Sequence, residues 1–450
     1  MVNHTGDQTM ESVKLALKGG PREINGENEK IFHWPIVTEE DFEAVKAVIA
    51  DGGKPSCTDI TMEFEKEWAA YNGVKYALGT CNGTAALAAG LWALGVGAGD
   101  EIIAPSMTYW ATCACAIQLG ASVNFADVDP ETLCIDPEDI ERRIGPRTKA
   151  IVVVNYGGYP ADWDALLPLA KKYGLRILED NSHGHGAMYK GRMCGSFGDI
   201  AGASMMSCKA FAIGEAGMIT TNDLDLYKRC IAYGHYERTF ASKYNTDAVP
   251  MDLPDLSPYV GIPIGGCKHR MNQMCSAMGR VQLKHYPERI AEIDRAMTYF
   301  SDRLDELPGL RAVRPPKNSG MTKGGWYLPL CHYDASKLGG LRLGRFIEAL
   351  KAEGVPCNPG ANKPIHGNPY FHTLDYFRMG TPTVEAFGRR RLETNVDSQL
   401  PVTMGAAEKI FMLPWFKHFD IPVIDTYINA FRKVISHAGE LLEDRNGEAK

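Results

Sequence analysis

Three short stretches of this 450-residue chain carry side chains whose types and spacing could do chemistry. The first is Thr80-Cys81-Asn82-Gly83-Thr84-Ala85-Ala86-Leu87, which reads as a strand end, a glycine turn and a helix that starts at Thr84 or Ala85. A helix start offers free backbone N–H groups and a partial positive charge, so such a turn can hold a phosphate; it can equally be an ordinary N-cap. The second stretch runs from Ile177 to Gly186, where an apolar strand delivers Glu179 and Asp180 and then a loop with His183 and His185. Asp180 stands where a strand-end residue meets a ligand. The alternatives are a capping Asp with two surface histidines, or a metal cluster of Asp180, His183 and His185 that lacks the rest of a ligand set. The third stretch is Ser204-Met205-Met206-Ser207-Cys208-Lys209, and Lys209 is the sole charged side chain from Ile200 to Ile213. An apolar setting disfavours the ammonium and suits a Schiff-base nucleophile. A lysine reaching solvent from a loop or helix end is the other reading.

The surrounding pattern predicts what positions these residues. Short apolar runs at Tyr76–Gly79, Glu101–Ala104, Ser122–Val128, Ala150–Val154, Arg176–Glu179 and Gly217–Thr221 read as strands. Helical stretches at Thr84–Leu94, Tyr109–Leu119, Pro137–Ile144 and Asp162–Tyr173 separate them. That alternation predicts a largely parallel sheet covered on both faces, with ligands outside the carboxyl ends of its strands. A capping signature at Thr38 to Asp41 opens a helix, and Ile60–Tyr71 forms a second with Phe64, Trp68 and Tyr71 on one face. Beyond a Pro-, Asp- and Tyr-rich excursion at 237–270, helices follow near Asn272–His285 and Pro287–Leu307. Trp326–Cys331 reads as a strand, Leu341–Glu353 as a helix and Ile424–His437 as a last amphipathic helix. The length exceeds the roughly 250–300 residues that one core supports. We expect an arm at 1–39 with little structure of its own, a large domain at 40–295 and a smaller one at 296–450.

Lys plus Arg number 48 against 55 Asp plus Glu, a net charge of -7, which speaks against nucleic acid as a partner. No apolar run reaches 18 residues and no secretory signal is visible, so neither a membrane span nor export is expected and the cytoplasm is. The twelve cysteines, at 57, 81, 113, 115, 134, 194, 208, 230, 267, 275, 331 and 357, form no CxxC pair. They read as free thiols in a reducing compartment, with no zinc site.

As a set, NGTAAL at 82–87, DEIIAPSMTYWAT at 100–112, LEDNSHGHGA at 178–187, GSFGDIAGASMMSCK at 195–209, GEAGMITTND at 214–223 and the segment from GCKHRM to VQL at 266–283 resemble the DegT/DnrJ/EryC1/StrS aminotransferases. These are pyridoxal-phosphate enzymes of fold type I that act on keto-sugars and keto-cyclitols, and the likeness spans residues 30–435. It implies an α/β fold whose large domain holds a mostly parallel seven-stranded sheet, with a smaller C-terminal α+β domain. Lys209 would carry the cofactor as a Schiff base and shuttle the proton. Asp180 would pair with the pyridinium nitrogen, Tyr109 would stack on the ring with Trp110 beside it, and His183 would lie near the phenolic oxygen. Gly83, Thr84 and Ala85 would cradle the phosphate, with a hydroxyl from Ser204. Lys268 or Arg270 would reach the phosphate in the partner's site of a homodimer. His366, Asn368 and Tyr370 fall where the small domain would approach the substrate. Two stretches depart from the family pattern: Lys268-His269-Arg270 stands where Asn-Tyr-Arg is usual, and Met205 to Cys208 differ from the common types.

The implied activity is transamination. Glutamate or glutamine would convert the cofactor to pyridoxamine phosphate, and the ketone of a cyclitol or sugar would then take the amine, in secondary-metabolite or glycan biosynthesis. The segment LALKGGPRE at 15–23 is similar to the start of glutamine:scyllo-inosose aminotransferases. The rival substrate is a nucleotide-linked 3- or 4-keto-sugar, for which Arg238 and Lys243 are candidate diphosphate ligands. A sugar dehydratase or lyase on the same scaffold and a non-catalytic cofactor-binding protein are further alternatives.

Overall fold

A computed structural model describes residues 14–26, 29–51, 59–242, 247–387 and 397–443. The large sheet holds β1 (Tyr76–Thr80), β2 (Glu101–Pro105), β3 (Ser122–Ala126), β4 (Thr148–Val154) and β5 (Arg176–Asp180). After a small hairpin of β6 (Met188–Tyr189) and β7 (Arg192–Met193), it is completed by β8 (Ile200–Ser204) and β9 (Gly217–Thr221). The order is β1-β9-β8-β5-β4-β2-β3. Neighbours from β8 to β3 run parallel, and β9 lies antiparallel to both β8 and β1. A seven-stranded, mostly parallel sheet is the expected fold.

Side chains alternate across each strand, so each strand feeds two cores. Ile102, Val123, Val152 and Leu178 pack under the helices of one face, while Ile103, Ile151, Val153 and Ile177 pack on the other with Trp163 and Leu166. This two-sided burial is why the strands read as continuous apolar runs. The sequence pattern missed β8, since Ile-Ala-Gly-Ala-Ser is too small-residued to show a strand signal. It also missed the helix at Leu224–Gly234.

The helices in chain order begin with α1 (Glu39–Ala50), α2 (Asp59–Asn72) and α3 (Gly83–Ala93). The expected cap of α1 forms, with the Thr38 N–H donating to the Asp41 carboxylate at 2.9 Å. Phe42 stays 62% exposed on that helix, which turns inward the row of Asp41, Val45 and Val48. On α2, Phe64 and Trp68 are fully buried as expected. α3 is small and apolar on every side, which demands burial all round. It lies so close to the sheet that a Cβ at Gly90 would come within 2.8 Å of a Leu178 methyl.

A second sheet, ordered β10 (Leu310–Ala312), β11 (Leu330–Tyr333), β13 (Ile410–Met412) and β12 (Asn358–Pro359), is antiparallel throughout. It shares a core with the helices at Gln273–Leu304, Leu343–Ala352 and Ile421–Ser436. The expected strand at 326–331 is corrected here: β11 starts only at Leu330, because Trp326 and Leu328 adopt left-handed φ angles of 54° and 55°. The two helices expected around Pro287 are one, Gln273–Leu304, with the proline inside it. Proline removes one helical hydrogen bond, and burial of Tyr286, Ile293 and Phe300 along the same helix outweighs that loss. The described part of the N-terminal arm is built into this core. Leu15 is fully buried, and the buried Glu353 carboxylate accepts the N–H groups of Ala16 and Glu23 and pairs with Lys433.

Part of the excursion after Glu237 folds back on its own chain. Arg238 makes a two-pronged pair with Glu65 of α2 at 2.6 and 2.9 Å, both side chains being buried. Glu65 also accepts the N–H of Gly79 in β1. Arg238 is thus spent inside the protein, a correction to its expected role as a diphosphate ligand; Lys243 lies outside the described residues. Removing one member of a buried pair strands the other charge, so Arg238→Met lowers stability by about 3–5 kcal/mol in urea unfolding.

Candidate active site

The carboxyl ends of β1, β2, β5 and β8 open on one cavity of about 260 Å³. Its walls include Asn82, Gly83, Thr84, Thr108, Tyr109, Thr112, Asp180, Ser182, His183, Ser204 and Lys209 from the strand-end loops. Glu215, Tyr327, Leu328 and Asn362 complete it. The three chemical stretches of the sequence therefore converge on one place.

The turn after β1 begins α3 one residue earlier than expected. Asn82, not Thr84, is the cap, its side chain accepting the Ala85 N–H at 2.8 Å. The first N–H groups of a helix have no acceptor within the helix, and those of Gly83 and Thr84 belong to residues on the cavity wall. Gly83 is required by contact: a Cβ there would stand 2.6 Å from Cβ of Ser204. Ser204 in turn donates its N–H to the Ser182 hydroxyl at 3.0 Å.

Strand alternation sends the two carboxylates of β5 opposite ways. Glu179 is buried and structural, accepting N–H groups of Gly195, Phe197 and Gly198 and the Asn155 amide. Burial pushes its carboxyl upward, and these donors oppose that. Asp180 faces the cavity, where the Thr112 hydroxyl donates to it at 2.7 Å and the Ser182 N–H at 3.1 Å. Thr112 is held by Thr108 at 2.8 Å.

Lys209 is 7% exposed, and burial lowers its affinity for a proton while the Asp180 charge partly restores it. Its backbone carbonyl accepts the Trp34 indole N–H at 3.0 Å, and its Nζ lies 4.2 Å from the ring centroid of Tyr327. His183 and His185 are buried, not surface residues. His183 Nδ1 accepts the Gly157 N–H at 3.3 Å, which leaves Nε2 to carry the proton of a neutral imidazole. Burial first, and then Lys209, holds His183 well below the usual imidazole range. Burial takes His185 down to about 3. Among the described residues no three His, Cys, Asp or Glu side chains are grouped to hold a metal ion.

Tyr109 is half exposed at the cavity mouth beside Trp110. Ala85 is buried just inside α3. Lys268 lies over the Tyr236 ring and Arg270 pairs with Glu237, and neither is on this chain's own cavity wall. Nor are His366, Asn368 or Tyr370. His366 bridges the Ser106 hydroxyl and Asp397, Asn368 caps a short turn, and the Tyr370 hydroxyl donates to the Ala114 carbonyl. His366 thereby ties its loop to the end of β2, and Tyr370 ties it to the helix at Ala111–Gln118. Sequence reasoning did not single out Thr112, Ser182, Glu215, Tyr327 or Asn362. Thr112 and Ser182 lay inside the motifs, whereas Tyr327 and Asn362 arrive from the second sheet's connections and carried no signal of their own.

An amine, a carboxylate and an open helix start around a cavity at the strand ends fit pyridoxal phosphate: aldehyde, pyridinium nitrogen and phosphate each meet a matching group. Together with the sheet order, they define a pyridoxal-phosphate-dependent transferase of fold type I. More narrowly, the chain belongs to the DegT/DnrJ/EryC1/StrS aminotransferase family, whose model matches residues 35–431. It is 30% identical over 409 residues to the spore coat polysaccharide biosynthesis protein SpsC of Bacillus subtilis, covering 90% of this chain and 96% of that one. It is 30% identical over 439 residues to the L-glutamine:scyllo-inosose aminotransferase of Streptomyces griseus, covering 95% and 99%. Among solved structures, an aminotransferase from Psychrobacter cryohalolentis superposes with a TM-score of 0.75 at 28% identity, over 90% of this chain and 99% of that one.

Two outcomes follow from this geometry. Gly83→Val forces the turn away from Ser204 and weakens pyridoxal-phosphate binding roughly 10–100-fold, read by titration of the cofactor's absorbance. His183 and His185 are neutral when folded and take a proton more readily when unfolded, so stability is complete above about pH 6.5 and falls below it. Each slope approaches about 1.4 kcal/mol per pH unit well below pH 6.5, so His185→Leu removes about 2 kcal/mol of the pH dependence of urea unfolding between pH 7 and 5.

Proposed function

We propose that this aminotransferase moves the amino group of L-glutamine or L-glutamate onto the ketone of a keto-cyclitol of the scyllo-inosose type. The observation that carries the substrate class is the two-way, nearly full-length match to a glutamine:scyllo-inosose aminotransferase. A nucleotide-linked keto-sugar is the second reading. It is favoured by 37% identity over 259 residues to the GDP-perosamine synthase of Caulobacter vibrioides, 56% of this chain and 64% of that one.

Bound pyridoxal phosphate supplies an electron-withdrawing ring that spreads the charge left when a C–H bond next to the amine breaks. The protein supplies the rest. The N–H groups at the start of α3, with the Thr84 and Ser204 hydroxyls, hold the phosphate. The Asp180 carboxylate, oriented by Thr112 and Ser182, holds a proton on the ring nitrogen. His183 would offer Nε2–H to the phenolic oxygen, and Tyr109 would cover one ring face. Lys209 Nζ would take the proton from the donor's carbon and return it in the second half of the cycle; burial shifts it toward the free amine.

We place the enzyme in the cytoplasm as a homodimer, with Lys268 or Arg270 reaching the partner's phosphate. Eleven free thiols among the described residues support a reducing compartment. Exposed Phe240, Tyr259, Val260 and Ile262 on the excursion support an apolar interface. A division into a large and a small unit is supported by the two separate sheets, with the expected boundary at 295 falling inside the helix Gln273–Leu304.

The test is a half-reaction screen. The cofactor-loaded protein is treated with L-glutamine or L-glutamate until its visible band is lost, freed of donor, and offered scyllo-inosose or nucleotide-linked 3- and 4-keto-sugars. Scyllo-inosose is expected to restore the band and appear as its amine by mass spectrometry. Restoration by nucleotide sugars alone establishes the second reading. Loss of water without amine transfer points to a dehydratase, and a band that neither donor bleaches points to a binding protein. Lys209→Ala is expected to reduce transfer by about 10²–10⁴-fold or more.

A further inference from the structure

The connection between β10 and β11 carries a backbone distortion with no part in the sheet. Trp326 and Leu328, two bulky residues, both have left-handed φ angles, and Tyr327 stands between them. Such conformations persist only where the surroundings over-determine them. The Trp326 indole donates to Asp294 at 2.7 Å, the Trp415 indole donates to the Gly325 carbonyl at 3.0 Å, and Gly325 donates to the His185 carbonyl at 3.1 Å. The Trp415 ring then abuts Tyr327 edge-on at 5.5 Å. All of this fixes one side chain, whose ring meets His183 at 4.6 Å and the Lys209 amine at 4.2 Å from its centroid. The lysine is anchored from its own side, its N–H donating to the Met206 carbonyl and its carbonyl accepting the Trp34 indole. Neither partner of the contact is a loose surface group.

An aromatic face attracts an ammonium and not a neutral amine. We infer that the Tyr327 ring is a built-in rest for the Lys209 ammonium, steadying the amine in its protonated form whenever it is not joined to the cofactor. This deepens the aminotransferase reading, on which it rests: a group that takes and returns a proton must be stable in both forms at one place. Tyr327 is a positioning residue for that transfer.

The ring works among other charges. Asp180 and Glu215 share the cavity wall with Lys209, and the Cys208 side chain, next to it in the chain, meets the Tyr327 hydroxyl. His183 and His185 face it as neutral imidazoles. Lys417 is set against the Trp34 and Trp415 rings, and burial lowers its affinity for a proton. Of these, the ring alone can be altered in electrostatics at nearly constant size.

The experiment replaces Tyr327 in the full-length chain with phenylalanine and with its mono-, tri- and pentafluoro forms. Fluorine drains the ring face of negative potential without opening the site to water. The rate of Lys209 acylation is followed against pH by peptide mass spectrometry, with pyridoxamine phosphate bound and without it. Because the ring favours the charged amine, each loss of ring potential is expected to move the acylation midpoint to lower pH, by about 0.4–1.5 pH units over the series. The Tyr327→Phe protein keeps the midpoint of the parent. A flat series, or one that moves upward, overturns the inference, as does a Tyr327→Phe change as large as that of the full series, which would assign the effect to the hydroxyl. A downward series in a protein that transfers no amine supports the pairing and rejects the aminotransferase reading; a flat series in a protein that transfers amine does the opposite.

Discussion

Keeping one primary amine dry organises this molecule. An ammonium is expensive to hold away from water unless charge or an aromatic face compensates, and a fully solvated one is a poor base at neutral pH. The chain meets both conditions at Lys209. Buried apolar residues, Ala203 and Met205 on one side and Ala210 to Ile213 on the other, carry the backbone through the core, while Asp180 and the Tyr327 ring face the amine. The tight seat of the 82–84 turn on Ser204 and the neutral state of His183 are consequences of the same crowding.

What was legible in the sequence followed from periodicity and order. Strands buried on both faces announce themselves as unbroken apolar runs, and β1 to β5 and β9 were found that way. β8 was not, because Ala201, Gly202 and Ala203 are chosen for the closeness of α3 and not for hydrophobicity; a Cβ at Gly202 would lie 3.1 Å from Leu87. The motifs brought Lys209, Asp180 and the phosphate turn together correctly because each sits at a strand end of one sheet. Side chains delivered from far along the chain were beyond that logic. Tyr327 looked like a strand residue, and only the left-handed backbone on either side of it reveals that it serves the cavity. The resemblance set His366, Asn368 and Tyr370 near the substrate; in the fold both ring nitrogens of His366 are engaged, with Ser106 and Asp397.

Arg238 shows why a basic residue in a loop is weak evidence about ligands. Its charge, read from the sequence, suited a diphosphate; in the fold it neutralises Glu65, which was already committed to the Gly79 N–H beside the phosphate turn. The pair therefore braces the strand that leads into the cavity. Its influence on function passes through the backbone of β1 and not through contact with substrate.

The helix at Gln273–Leu304 joins the two cores through one unbroken rod. At 1.5 Å per residue its 32 residues extend about 48 Å. Its first half packs against Phe64 beside the large sheet, and its second half packs against Phe416 and Phe431 under the small one. A rod shared by both bodies couples them along its length, with Pro287 the one interior residue that donates no backbone hydrogen bond. Tyr327 rides on the connection between two strands of the small sheet, so a shift of that sheet against the large one is felt at the amine's aromatic neighbour.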